Sequence, residues 1–251
     1  MQNRSIRVTL TLLAAAIAAS MIISIANAGA QNTRPAAPRT EAAPQKPPDF
    51  SGVWLQAQPG GVFVKDYPAQ PWVEELFKYA QDPSGRTRNE MDPNIAKCFP
   101  RGPTSNWLGG NRPFEIFHVR NRVLILFEWD HEIRQIYTDG RGHPDALAPT
   151  WMGHSIGKWE GDTLVVDTTG INPYTWLDRD GHAHSDALHL TERLRRTDEK
   201  TLTLDITFDD PKAYTKPFTA HRIFKMAPSD WEIGEHILCE DKLMGKPIAD
   251  Y

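Results

Sequence analysis

A chain of 251 residues with a formal net charge of −4 has too little charge imbalance to attract nucleic acid or an anionic membrane surface. It has the length to bury a sizeable core. Its two cysteines, Cys98 and Cys239, lack the C-x-x-C spacing of zinc or redox sites, so one disulfide is their simplest use in an oxidising compartment.

Arg4 and Arg7 precede an apolar run from Val8 to Ala26 that ends in Ala26-Asn27-Ala28. Positive charge, apolar stretch and small-residue exit make a cleavable secretory signal. The reading is residues 1–28 as signal peptide, 29–48 as a Pro/Ala-rich tether and 49–251 as one β-barrel domain. It places the protein in the periplasm or outside the cell, off the membrane once the signal is removed. A retained anchor is the alternative, because the run approaches the ~20 residues that span a bilayer.

The remainder alternates apolar and polar residues between turn signals, the mark of half-buried strands. After an opening strand at Phe50–Trp54 and a helix over Trp72–Tyr79 led by Pro71, strands are expected at 114–119, 123–130 and 133–138. Residues 154–159 and 163–169 form the clearest hairpin, about a Glu160-Gly161 turn. Further strands follow at 188–196, 202–208, 218–226 and 232–239. About ten strands with one helix predict an all-β fold. Hairpins in such number close most economically into a single antiparallel up-and-down barrel of lipocalin or calycin type, with long loops. A two-sheet sandwich is the competitor. The stretches Gln81–Arg112 and Gly170–Asp186 exceed ordinary connections and read as functional lids or disordered segments. No Gly-rich phosphate loop follows any strand, which leaves nucleotide chemistry without support.

Thr150–Gly170 (TWMGHSIGKWEGDTLVVDTTG) and Thr175–Arg193 (TWLDRDGHAHSDALHLTER) resemble a family of uncharacterised exported bacterial proteins. The likeness extends upstream through ILFEWDHEIRQIYTDGR and downstream through DDPKAYTKPFT. Gly52-Val53-Trp54 is similar to the G-x-W start of lipocalin-like barrels. Neither resemblance implies a reaction or a catalytic residue.

Side chains alternate faces along a strand, so register identifies acids that fall in apolar rows. Glu192 follows Leu188 and Leu190, Glu128 follows Leu124 and Leu126, and Glu235 lies between Ile233 and Ile237. An acid facing a core costs several kcal/mol unless partnered. Each is therefore either a buried ion pair, with Arg134 or Arg222 as partner, a strand end, or a functional acid. A two-residue turn at Glu160-Gly161 sets His154 opposite Asp167, about 5 Å apart at Cβ. That is the geometry of an oriented general base, or of a structural His–Asp pair. The loop His182-Ala183-His184-Ser185-Asp186 begins like the H-x-H-x-D of metallo-β-lactamase-type zinc loops. It departs from them at Ala187, and His-x-His alone is a means of chelating Zn²⁺. Trp129, Trp151 and Trp176, with Asp178, Arg134 and Glu235, are candidates for an aromatic ligand pocket, the alternative being plain core.

The expected function is acid–base catalysis of isomerase, hydratase or lyase type on a small apolar or aromatic molecule. His154 is the base, Asp167 its orienting partner, and Glu192 or Glu128 the acid. A lipocalin-like carrier of a hydrophobic ligand is the first alternative. A metal-dependent hydrolase using His182, His184 and Asp186 is the second. No cofactor beyond that possible Zn²⁺ is expected. An interior with paired His and carboxylates favours the enzyme, and a purely apolar one the carrier.

Overall fold

The computed structural model describes residues 47–57, 64, 67–81, 84, 90–109 and 112–234, all within the compact unit Gln45–Tyr251. Residues 1–46 therefore lie outside the described residues, with the signal and most of the tether. So do Glu235, Cys239 and most of the expected last strand, and residues 232–234 are not in a strand.

Nine strands close into a barrel in sequence order. They are β1 (Gly52–Gln56), β2 (Phe114–Val119), β3 (Arg122–Phe127), β4 (Ile133–Tyr137), β5 (His154–Glu160), β6 (Thr163–Thr169), β7 (His189–Asp198), β8 (Thr201–Asp209) and β9 (Phe218–Met226). The expectation of wholly antiparallel pairing is corrected at one place. β4 runs parallel to β5, with Ile136 beside Ser155 and Tyr137 beside Ile156. A parallel neighbour cannot be reached by a hairpin, so residues 138–153 return along the outside of the wall. The connections that leave β1, β3, β6 and β8, and the chain entering β5, consequently gather at one end, here called the mouth. Two-residue turns close the other end at Arg120-Asn121, Gly161-Asp162 and Glu199-Lys200.

Among the described residues, several helical segments sit between β1 and β2. The expected helix appears as α1 (Pro71–Ala80), and the stretch read as irregular contains α2 (Pro93–Ala96) and α3 (Gly102–Leu108). Proline and polar residues break the periodicity of these short helices, and burial rather than propensity holds them. α3 plugs the barrel. Trp107 is 1% exposed and meets Phe114 and Phe127 edge to face at 5.0 and 5.1 Å. Arg222, from β9, donates to the carbonyls of Trp107 and Leu108 at 3.0 and 2.8 Å.

Beside the plug lies a buried ion pair. Arg134 and Glu192 are both fully buried, and Arg134 Nη1 donates to Glu192 Oε1 at 2.7 Å while Nη2 bonds Oε2. Nη2 also reaches Thr168 Oγ1 at 2.9 Å, and Trp107 Nε1 donates to Glu192 Oε1 at 2.6 Å. The register argument for Glu192 facing inward is thus correct, and its partner is Arg134. Glu128 is a correction: Val123, Ile125 and Phe127 form the buried row of β3. Leu124, Leu126 and Glu128 belong to the outer one, and Glu128 meets Arg112 at the rim.

Removing one member of a buried pair strands the other charge at a cost of about 3–5 kcal/mol, whereas apolar replacement of both is nearly neutral. Glu192→Ala should lose about that much stability in urea unfolding, and Arg134→Met with Glu192→Leu should recover most of it.

A second stability prediction comes from Glu132. Its carboxylate accepts from Arg101 N at 2.6 Å and from Asn106 Nδ2, clasping the start of α3 to β4. Burial pushes its carboxyl from 4.5 up to about 7. The folded state then keeps a proton that the unfolded chain releases, so stability falls as pH rises from about 4.5 to 7. Glu132→Gln should flatten that part of the pH–stability curve.

Candidate functional site

The β5–β6 turn sits one residue further along than Glu160-Gly161. Glu160 pairs with Thr163, and Gly161, at φ 62°, supplies the first turn position. His154 therefore faces Thr169, and Asp167 faces Ile156. The shift is by two positions in the pairing, so His154 and Asp167 still share a face. That face is the outer one. Ser155 and Thr168 are buried, whereas His154 and Asp167 are half-buried. Ile156 and Val165, expected to draw the pair inward, lie on the outer face as well. His154 and Glu192 are thus on opposite sides of the wall, and the expected interior site with both does not form.

A side chain from the crossover reconnects the pair. His143 Nε2 lies 2.8 Å from Asp167 Oδ1, and His143 Nδ1 lies 2.8 Å from His154 Nδ1. His189, at the start of β7, bonds Asp167 Oδ2 through its Nε2 at 2.9 Å. The result is a continuous chain, His154–His143–Asp167–His189, on the outside of β5, β6 and β7. Its side chains are 22% exposed at His143, 41% at Asp167 and 39% at His189. Tyr137 stacks on His154 at 5.5 Å between ring centres, and Arg141 lies 4.0 Å over the Tyr137 ring.

The bonds constrain the protons. A carboxylate only accepts, so His143 donates from Nε2. With both rings neutral, His143 Nδ1 accepts from His154 Nδ1–H, which leaves His154 Nε2 as a bare nitrogen with no hydrogen bond among the described residues. Partial burial, and then the charges of His143 and Arg141, hold the His154 imidazole below its ordinary 6.5. At neutral pH it is a free base.

The other candidates disperse. Arg134 serves Glu192, as above. His182 Nδ1 bonds Asp178 Oδ2 at 2.7 Å, and its ring is sandwiched between Tyr67 at 3.6 Å and Phe77 at 4.1 Å. His184 uses both nitrogens, on Thr175 Oγ1 at 2.7 Å and the Ser185 carbonyl at 2.9 Å. Asp186 pairs with Lys212. These three residues do not converge, and no group of three or more His, Cys, Asp or Glu among the described residues is arranged to hold a metal ion. Asp178 accepts from Tyr67 and from the backbone of residues 180–182, so it organises the loop. Trp129, Trp151 and Trp176 do collect at the mouth. Trp129 lies 3.8 Å beneath the Arg101 guanidinium, Trp151 packs on Phe99 at 4.8 Å, and Trp176 lines a small pocket with Arg101 and Asp178.

His143, Arg101 and Glu132 escaped the sequence reading. His143 sits in a loop, where strand register has no reach. Its available signal was indirect: a crossover running the length of the wall delivers its polar residues to the outer face of β5 and β6. The chain matches no protein-family model and no curated protein, so no relative supplies a function for this site.

Proposed function

We propose that the protein is an exported acid–base enzyme of isomerase, hydratase or lyase type, with its site on the outer wall of the barrel. The observation that carries this reading is the hydrogen-bonded chain from Asp167 through His143 to His154. It leaves one imidazole nitrogen of a residue on the outer face without a hydrogen bond among the described residues, with a carboxylate further along the chain to balance the charge acquired on protonation. His154 Nε2 takes a proton from a substrate carbon or water, Asp167 supports the resulting imidazolium through His143, and the same nitrogen returns the proton to a second position. One base serves both steps, so neither Glu192 nor Glu128 is needed. The substrate class remains a small apolar or aromatic molecule.

A hydrophobic carrier fits less well, because Trp107, Arg134 and Glu192 occupy the bore that its ligand needs. The lipocalin-like reading rests on barrel closure and on the buried Trp54 of Gly52-Val53-Trp54; the parallel β4–β5 pair is a departure from it. A disulfide between Cys98 and Cys239 belongs to the same exported reading.

The relay is tested without knowing the substrate. In ¹⁵N histidine NMR, His154 should show the Nδ1–H tautomer and His143 the Nε2–H tautomer, and Asp167→Asn should abolish that bias. In D₂O, proton exchange into small carbonyl compounds should fall about 10²–10⁴-fold in His154→Ala. The rate should decline as pH drops through a value below 6.5, where the base becomes protonated. His154 in the Nε2–H tautomer, insensitive to Asp167→Asn, would overturn the proposal.

A further inference from the structure

The mouth has a second feature, independent of the wall. Residues 92–105 pack against residues 175–178 around a pocket of about 10 Å³ lined in part by Asp92, Asn94, Arg101, Ser105 and Thr175. All five of these residues are at least nine-tenths buried. That volume matches one water-sized group.

Arg101 is the residue out of balance. It is 8% exposed. Its Nη2 donates to Asn94 Oδ1 at 2.7 Å and its guanidinium lies 3.8 Å from the Trp129 ring centre, yet its Nε finds no acceptor among the described residues. Burial pulls its guanidinium down to about 10, so it is still a cation at neutral pH. Buried donors are nearly always satisfied, and a charged one left open is the costliest kind. Asp92 lines the same pocket. It receives Asn94 N on Oδ1 at 3.0 Å, and its negative charge acts on the Arg101 guanidinium. A residue with an open donor and a carboxylate thus line one small space.

We propose that this pocket binds a single hydroxyl group, which accepts from Arg101 Nε–H and donates to Asp92. Two sources share that chemistry, an ordered water and the hydroxyl of a small polyol. The surroundings suit the second as well as the first. Phe99 adjoins Pro100 in the pocket wall and Tyr174 adjoins Thr175. Together with Trp151, these rings form an aromatic rim at 4.8 and 6.3 Å centre to centre, with Tyr174 64% exposed. Such a rim offers a packing surface for the C–H faces of a polyol whose hydroxyl enters the pocket.

Crystals of the full chain, untreated and soaked in ethylene glycol, distinguish the sources. Untreated crystals should show density at hydrogen-bonding distance from Arg101 Nε, about 2.7–3.2 Å. Replacement of that peak by a diol after soaking identifies an alcohol site, and an unchanged single-atom peak identifies a bound water. Arg101→Lys keeps the positive charge and removes Nε, so the peak should disappear. An empty wild-type pocket, or Asp92 Oδ2 closed directly onto Nε, would overturn the proposal.

Discussion

The parallel pairing of β4 with β5 governs the rest of the molecule. Eight of the nine strand contacts are antiparallel, and an antiparallel meander needs only short turns at both ends. One parallel step breaks that economy. The chain leaves β4 at the short-turn end and must enter β5 at the mouth, so residues 138–153 cross the outer wall. Two glycines fasten the crossing. Gly153 adopts φ 67°, and a Cβ there would come within 2.8 Å of the Thr169 carbonyl and Ile171 Cγ1. Leu147 seats on Gly170, where any side chain would collide with it. These contacts hold the crossover at the height where His143 meets His154 and Asp167.

The bore follows a different logic. Nine strands enclose more space than β-branched and leucine side chains fill, and here a helix and two arginines complete it. Arg222 ties down the C-terminal carbonyls of α3, and Arg134 holds the carboxylate that Trp107 also uses. The Arg134 charge is met by Glu192, and Arg222 Nε and Nη2 are met by the two carbonyls, so the network specifies where α3 sits more than it adds stability. A polar interior is therefore compatible with a barrel that catalyses nothing inside.

The strands and their faces were legible because period-2 alternation is a direct consequence of the pleat. Leu190, Glu192 and Leu194 read correctly as one inward row, and the partner that such a buried acid requires is Arg134. Glu128 was misread because β3 is apolar on both faces, so alternation could not tell Leu124–Leu126 from Val123–Ile125. The hairpin register slipped because Gly161 serves equally well as first or second turn residue. The slip was by an even number, which preserved the shared face of His154 and Asp167 while changing which residue each opposes. Ile156 and Val165 then pointed to the wrong side, since apolar outer positions on this wall are half-buried. Nothing local distinguishes a parallel β4–β5 pair from a hairpin with a long loop, and His143 was hidden behind that choice.

The crossover also joins the polar chain on the wall to the polar pocket at the mouth. His143 lies near its middle, within the wall relay. Near its end Trp151 packs against Phe99, and its carbonyl lies 3.0 Å from where a Cβ on Gly102 would stand, at the start of α3. Gly102, at φ 74°, permits that approach. Thr150 bridges to Ile171 in the same stretch, so the segment is bonded to the barrel just before it delivers His154 to β5. A rearrangement of the mouth around Arg101 and Trp151 would thus reach the relay through four residues of backbone, Trp151 to His154, rather than through the packed bore. The wall and the mouth are physically distinct regions, and this short run of chain is a direct mechanical link between them.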